Sequence, residues 1–182
     1  MLSVPVVRDL ACDPRLLDLA ARFVGARPVA FRATLFDKST RSNWLVAWHQ
    51  DTALPLRNRV ADPSWRPWSL KAGVLYAHAP AAVLETVIAF RVHLDDSTEG
   101  NGPLRVLPNT HAAGVLCDQA IERLARDVTP VSCIVSSGGV VAMRPLTVHS
   151  SSKGTDGKPR RVLHIEYAVS RHVGLGIELA VA

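Results

Sequence analysis

Asn43-Trp44-Leu45-Val46-Ala47-Trp48-His49-Gln50-Asp51 is the stretch from which the rest of the chain can be read. Its apolar run has strand character, and it leads into His49-x-Asp51. On a strand, side chains at i and i+2 point to the same face. The imidazole and the carboxylate then stand side by side and can grip one metal ion. A second His with hydroxyl neighbours, His149-Ser150-Ser151, lies near the C-terminus, and Arg160 follows eleven residues later. Two His and one carboxylate form the donor set of a facial iron(II) centre with open coordination positions. A downstream Arg suits the far carboxylate of a keto-acid cosubstrate, because its planar fork binds carboxylate bidentately.

Outward from this stretch the chain is mainly β-like. Val29–Phe36, Trp44–Trp48, Val87–Leu94, Leu104–Leu107, Val131–Val135, Val140–Met143 and Val162–Val169 are strand candidates, separated by segments rich in Pro, Gly, Asn and Asp. Many short strands without long intervening helices predict a sandwich or barrel, and a jelly roll of the cupin kind holds ligands between its two sheets. Two helices are expected. One begins at Asp13-Pro14-Arg15, with Asp as N-cap and Pro in the first turn, and ends near Gly25. The other covers Asp118–Asp127. We therefore expect a single domain over 1–182, with residues 1–28 as a helical flank.

Composition narrows the function classes. Hydrophobic residues make up 48% of the 182, which excludes a disordered chain. The formal charge is +5, but the basic residues are dispersed and aromatics are few. That is not the stripe expected of a nucleic-acid protein, and it fits a mild preference for anionic small molecules. Cys12, Cys117 and Cys133 are isolated, odd in number and without metal spacing, which reads as buried or free thiols in a reducing, cytoplasmic setting. The N-terminal apolar stretch breaks at Arg8-Asp9 and lacks a basic lead, so no signal peptide is expected. No apolar run approaches membrane-spanning length. Neither a nucleic-acid nor a membrane partner is expected, and the oligomeric state is left open.

The stretch from Thr34 to Tyr167 resembles the phytanoyl-CoA dioxygenase family of iron(II)/2-oxoglutarate oxygenases, most closely its small bacterial members. The matching pieces are Leu35-Phe36-Asp37-Lys38, Asn43-Trp44 through Asp51, Arg91-Val92-His93-Leu94-Asp95-Asp96, Asn101-Gly102-Pro103 through His111, and His149-Ser150-Ser151 followed by Arg160. There are two departures. Asn109 stands where the family has Gly in a Pro-Gly-Ser/Thr-His turn. Asn is well suited to positive φ, so the turn is expected to survive. The part before the first matching strand is also short, so the helices that often cover the barrel are expected to be reduced.

The resemblance implies a double-stranded β-helix, with iron(II) held by His49, Asp51 and His149 and with 2-oxoglutarate and dioxygen as cosubstrates. It implies a dioxygenase that hydroxylates a small molecule and releases succinate and carbon dioxide. The alternatives are the same oxidising centre with a desaturation, cyclisation or epimerisation outcome, or a non-catalytic cupin that binds metal or a small acid. Related halogenases lack the carboxylate that Asp51 supplies, so halogenation is not expected.

The cosubstrate residues follow from the same comparison. Arg160 is placed as the anchor, in preference to Arg161, by the family spacing. Ser151 shares the face of His149 and can add a hydroxyl donor. A hairpin turning at Asp156-Gly157 would set Arg160 along the ladder from His149. Asn43 has the parity of His49 and is expected to line the pocket. Arg91, where the family often has an aromatic close to 2-oxoglutarate, is expected to line the pocket as a cosubstrate-binding residue and needs a partner if buried. Lys38 meets either an anionic group or a surface salt-bridge partner. His93 and His111 are read as non-ligands, His164 and Glu166 as lying beyond the pocket, and the four Trp as packing residues.

Overall fold

The computed structural model describes residues 1–25, 27–174 and 176–182. Its elements run α1 (Pro5–Ala11), α2 (Pro14–Val24), β1 (Val29–Lys38), β2 (Val46–His49), β3 (Ala53–Leu56), β4 (Trp68–Lys71), β5 (Val74–His78), α3 (Ala81–Leu84), β6 (Val87–His93), β7 (Leu104–Val106), α4 (Asp118–Asp127), β8 (Val131–Cys133), β9 (Val140–Met143), β10 (His149–Ser151), β11 (Arg160–Ala168), β12 (His172–Gly174) and β13 (Ile177–Glu178). The two four-stranded sheets are ordered β1-β11-β6-β9 and β2-β10-β7-β8. This is a mainly β chain with few helices, the double-stranded β-helix expected.

The chain divides into two compact units. The first comprises Met1–Thr34, Thr52–Ala89 and Ile165–Ala182. Here α2 begins as the sequence predicts: Asp13 Oδ1 accepts from the Arg15 backbone N–H at 2.9 Å, and Gly25 closes the helix at φ 76°. Strands β3, β5 and β4 form a small antiparallel sheet in that order. The β4–β5 turn puts Ala72 and Gly73 at positive φ, the conformation of a tight hairpin. Phe31, Leu54, Leu56, Trp65 and Tyr167 are buried in this unit, and Glu166 is buried in an ion pair with Arg32.

The second unit comprises Leu35–Asp51 and Phe90–His164. It contains the whole β2-β10-β7-β8 sheet and the ends of β1, β6 and β11 that carry Lys38, Arg91 and Arg160. Buried Leu107, Ile121 and Val148 pack with Trp48, Leu116 and Leu124, which places the apolar face of α4 behind β2.

Two local expectations change. Strands β3, β4 and β5 were not read from the sequence, because Pro55 and the Pro-rich segment before Trp68 mask them. The turn at Asp156-Gly157 does not close a hairpin. Strand β10 has β2 and β7 on its two sides, whereas β11 lies between β1 and β6, so the segment passes from one sheet to the other. The turn chemistry itself is present: Asp156 Oδ1 accepts from Lys158 N at 2.9 Å, and Gly157 has φ 71°.

Candidate active site

His49 ends β2 and His149 begins β10. They are antiparallel partners across the ladder, and their ring centroids lie 4.2 Å apart. Each Nδ1 donates to the carbonyl two residues earlier, His49 to Ala47 at 2.8 Å and His149 to Thr147 at 2.9 Å. Carbonyls only accept, so both rings carry the proton on Nδ1 and leave the Nε2 lone pair free. Both Nε2 atoms face Asp51, each 3.6 Å from a different carboxylate oxygen. The three ligand atoms all lie within 4.8 Å of one another. The two 3.6 Å gaps exceed a hydrogen bond and are short enough for bonds of roughly 2.0–2.2 Å to meet on one ion. The carbonyl-fixed tautomers are those a metal-binding His requires. The donor set and its orientation fit iron(II).

The electrostatics agree. Burial works to raise the Asp51 pKa, but the close approach of His49 and then of His149 holds it well below the ordinary carboxylate range. Burial lowers His149, while for the less buried His49 the contact with Asp51 outweighs burial and raises it.

A cleft partly open to solvent is lined by all three triad residues together with Phe36, Arg91, Ser151 and Arg160, and also by Trp44. Arg160 is 2% exposed. Its Nη2 donates to Ser151 Oγ at 3.3 Å and its Nε to Asn101 O at 3.4 Å, while Nη1 has no partner. Lys38 is no surface salt-bridge residue: it is 2% exposed and donates to Ser151 Oγ at 2.7 Å and Ser152 O at 2.5 Å. Burial, and then the charges of Arg160 and Arg91, lower its pKa to about 8. Arg161 points away, exposed and clamped by both carboxylate oxygens of Asp95 at 2.7–2.8 Å.

Asn43 does not join the cleft. It is exposed, and its amide makes a two-bond clamp with the Gly154 backbone, both at 2.8 Å. Trp44 takes the lining position instead, whereas Trp48 packs under α4. His93 is buried with both ring nitrogens unpartnered, and burial lowers its pKa to about 4. His111 is exposed in the turn after Asn109, which has φ 65° as expected of its turn. His164 is buried edge-on to Phe36, 5.7 Å between centroids.

Gln50 was missed. Its parity points it away from the metal side, yet it is 8% exposed and fully bonded. Its amide donates to Gly114 O (2.9 Å) and Leu146 O (2.7 Å) and accepts from Leu116 N (2.8 Å). An uncharged amide between two triad residues carries no signal in sequence.

The family model described as phytanoyl-CoA dioxygenase (PhyH) matches residues 2–162. The L-proline trans-4-hydroxylase of Streptomyces griseoviridis is 27% identical over 180 residues, covering 85% of this chain and 59% of that protein. The crystal structure of AviO1 from Streptomyces viridochromogenes Tue57 superposes with a TM-score of 0.63 at 30% identity, over 88% of this chain and 60% of that one. EctD from S. alaskensis, in its apoform, shares the fold at TM-score 0.68 and 21% identity, over 91% of this chain and 54% of that one. The chain thus spans between about half and three-fifths of the length of these three relatives.

Proposed function

The chain belongs to the phytanoyl-CoA dioxygenase (PhyH) family, and from that premise we propose that it is an iron(II)- and 2-oxoglutarate-dependent oxygenase that hydroxylates a small molecule. The observation that carries this reading is the convergence of His49 Nε2, His149 Nε2 and an Asp51 carboxylate in one cleft with buried Arg160. Iron(II), when bound with 2-oxoglutarate and dioxygen, supplies an oxidant for C–H bonds and turns the keto acid into succinate and carbon dioxide. The relative's activity on L-proline supports a hydroxylation outcome on a small substrate.

The chain's own residues divide the work. Ala47 and Thr147 hold the two imidazoles in the ligating tautomer. Arg160, with its unpartnered Nη1, receives the far carboxylate of 2-oxoglutarate, and Ser151, whose hydroxyl donates to Gly102 O at 2.9 Å, accepts from Arg160 and holds it in place. Lys38 adds positive charge at the same end through Ser151. Phe36, Val46 and Leu104 give the cleft an apolar wall beside the triad. The cysteines are free thiols, which supports a reducing compartment such as the cytoplasm. No helix among the described residues is long and apolar enough to cross a membrane.

The test is anaerobic addition of iron(II) and 2-oxoglutarate. The expected result is the visible absorption band of an iron–keto-acid chelate, followed by succinate release once oxygen is admitted. Absence of both the band and succinate from correctly folded, metal-loaded protein would overturn the assignment.

A further inference from the structure

We infer that Arg91 is a second anion anchor in the cleft, reserved for a negatively charged group on the primary substrate, so that the site takes small anionic molecules. This rests on the oxygenase reading above and goes beyond it by assigning the substrate class.

Arg91 lies on β6, a strand whose residues are all buried. It is 6% exposed, lines the cleft, and sits over the ring of Phe36 at 5.1 Å from the centroid. Its Nε has no partner, and its Nη1 meets only His164 Nδ1 at 3.4 Å, the long limit of a hydrogen bond. Among the described residues, no carboxylate lies within ion-pair distance of it. A buried guanidinium left in this way is costly unless an anion completes it. Burial, and then Arg160, lower its pKa only to about 10, so it keeps its charge at neutral pH.

The distribution of charge indicates which anion is missing. Three buried cations serve this cleft: Lys38, Arg91 and Arg160. Among the described residues, the one carboxylate lining it is Asp51, a member of the triad. Arg160 and Lys38 converge on Ser151, and this pair suffices for the far end of 2-oxoglutarate. The keto-acid end of the same molecule chelates the metal. Arg91 makes no bond to the Ser151 cluster and is left over.

The experiment uses the full chain loaded with iron(II) and saturating 2-oxoglutarate, without oxygen. Acetate and benzoate are titrated as probes, with acetamide and benzamide as their neutral counterparts, and the keto-acid band is followed. The carboxylates are expected to perturb the band saturably and the amides are not. Arg91→Gln should raise the half-saturating carboxylate concentration roughly tenfold or more, as loss of a charge-assisted bond would. It should change 2-oxoglutarate affinity less than about threefold, and Arg91→Lys should recover part of the effect. Three results would overturn the inference: equal responses to acid and amide, including none; band loss reversed by more 2-oxoglutarate; or Arg91→Gln weakening 2-oxoglutarate as strongly as Arg160→Ala. The acid–amide comparison stands even if Arg91→Gln fails to fold. If the unmodified protein forms no band at all, the oxygenase reading fails instead.

Discussion

Arg160 and Arg161 are adjacent on β11 and face opposite sides of the sheet. Arg160 is 2% exposed and reaches Ser151 in the cleft. Arg161 is exposed, its guanidinium locked on Asp95, and its backbone N–H also donates to Asp95 at 2.8 Å. Leu163, Ile165 and Tyr167 share the parity of Arg161 and are buried, but so are Val162, His164 and Glu166. Beyond Arg161 both faces of β11 are covered, so parity alone could not have chosen between the two arginines.

Arg160→Ala should therefore weaken 2-oxoglutarate binding by about 3–5 kcal/mol, the cost of breaking a buried charged pair, or roughly two to four decades in affinity. Arg161→Ala should leave that affinity within about twofold, as expected of an exposed ion pair. Anaerobic titration of the iron–keto-acid band reads both. The assignment fails if the two variants exchange their effects.

Lys38 should make 2-oxoglutarate binding sensitive to pH. Its pKa is lowered to about 8 by burial and then by the two arginines. Only the protonated amine attracts a carboxylate, and a bound dianion favours that proton. Affinity should be flat below about pH 8 and fall above it, at most about tenfold per pH unit. Lys38→Met should weaken binding at pH 7 and flatten the alkaline fall. An unchanged alkaline slope in Lys38→Met would assign the titration to another group.

The turn at Asn109 holds φ 65° without glycine. Asn109→Gly should be nearly neutral in urea unfolding, because glycine accepts this region freely. Asn109→Val should lose about 1–2 kcal/mol, because a β-branched side chain clashes with the backbone there. If Val is tolerated as well as Gly, the turn has another conformation in solution.

What was legible in the sequence follows from physics local to a strand. Period two put His49 and Asp51 on one face, and a polar triplet holding a lone His marked β10. The order of these pieces sufficed for the sheet class. Contacts between segments far apart in the chain were not legible. Asn43 has the right parity to line the cleft but stands before β2 begins, where parity no longer applies, and Gly154 takes its amide. Lys38 ends β1, and sequence leaves it open between an anionic group and a surface salt bridge, until β10 supplies Ser151 beneath it. The hairpin at Asp156-Gly157 had the right turn residues. It failed because β2 and β7 already occupied the two edges of β10.

Gln50 is the residue whose role depends most on such contacts. It sits between two triad residues and points the other way, where three hydrogen bonds tie it to the backbone of Gly114, Leu116 and Leu146. The neighbouring bond from Asp51 N to Pro145 O, at 2.9 Å, joins the same strand end to the segment leading into His149. Gln50 thus helps hold the His49-x-Asp51 arm against the chain that delivers the third ligand. Gln50→Leu keeps the volume but leaves two carbonyls and one N–H unpaired. It should cost about 2–4 kcal/mol in chemical denaturation, since each buried orphan costs about 1–3 kcal/mol with partial relaxation. Metal affinity should fall roughly 10- to 100-fold, as for groups that orient ligands without touching the ion. His149→Ala, which removes a ligand outright, should lose more. The measurements are urea unfolding of the metal-free protein and competition for iron(II) against a chelator of known strength. Gln50→Leu with normal metal affinity but reduced stability would make Gln50 a packing residue alone and leave Asp51 positioned by Pro145.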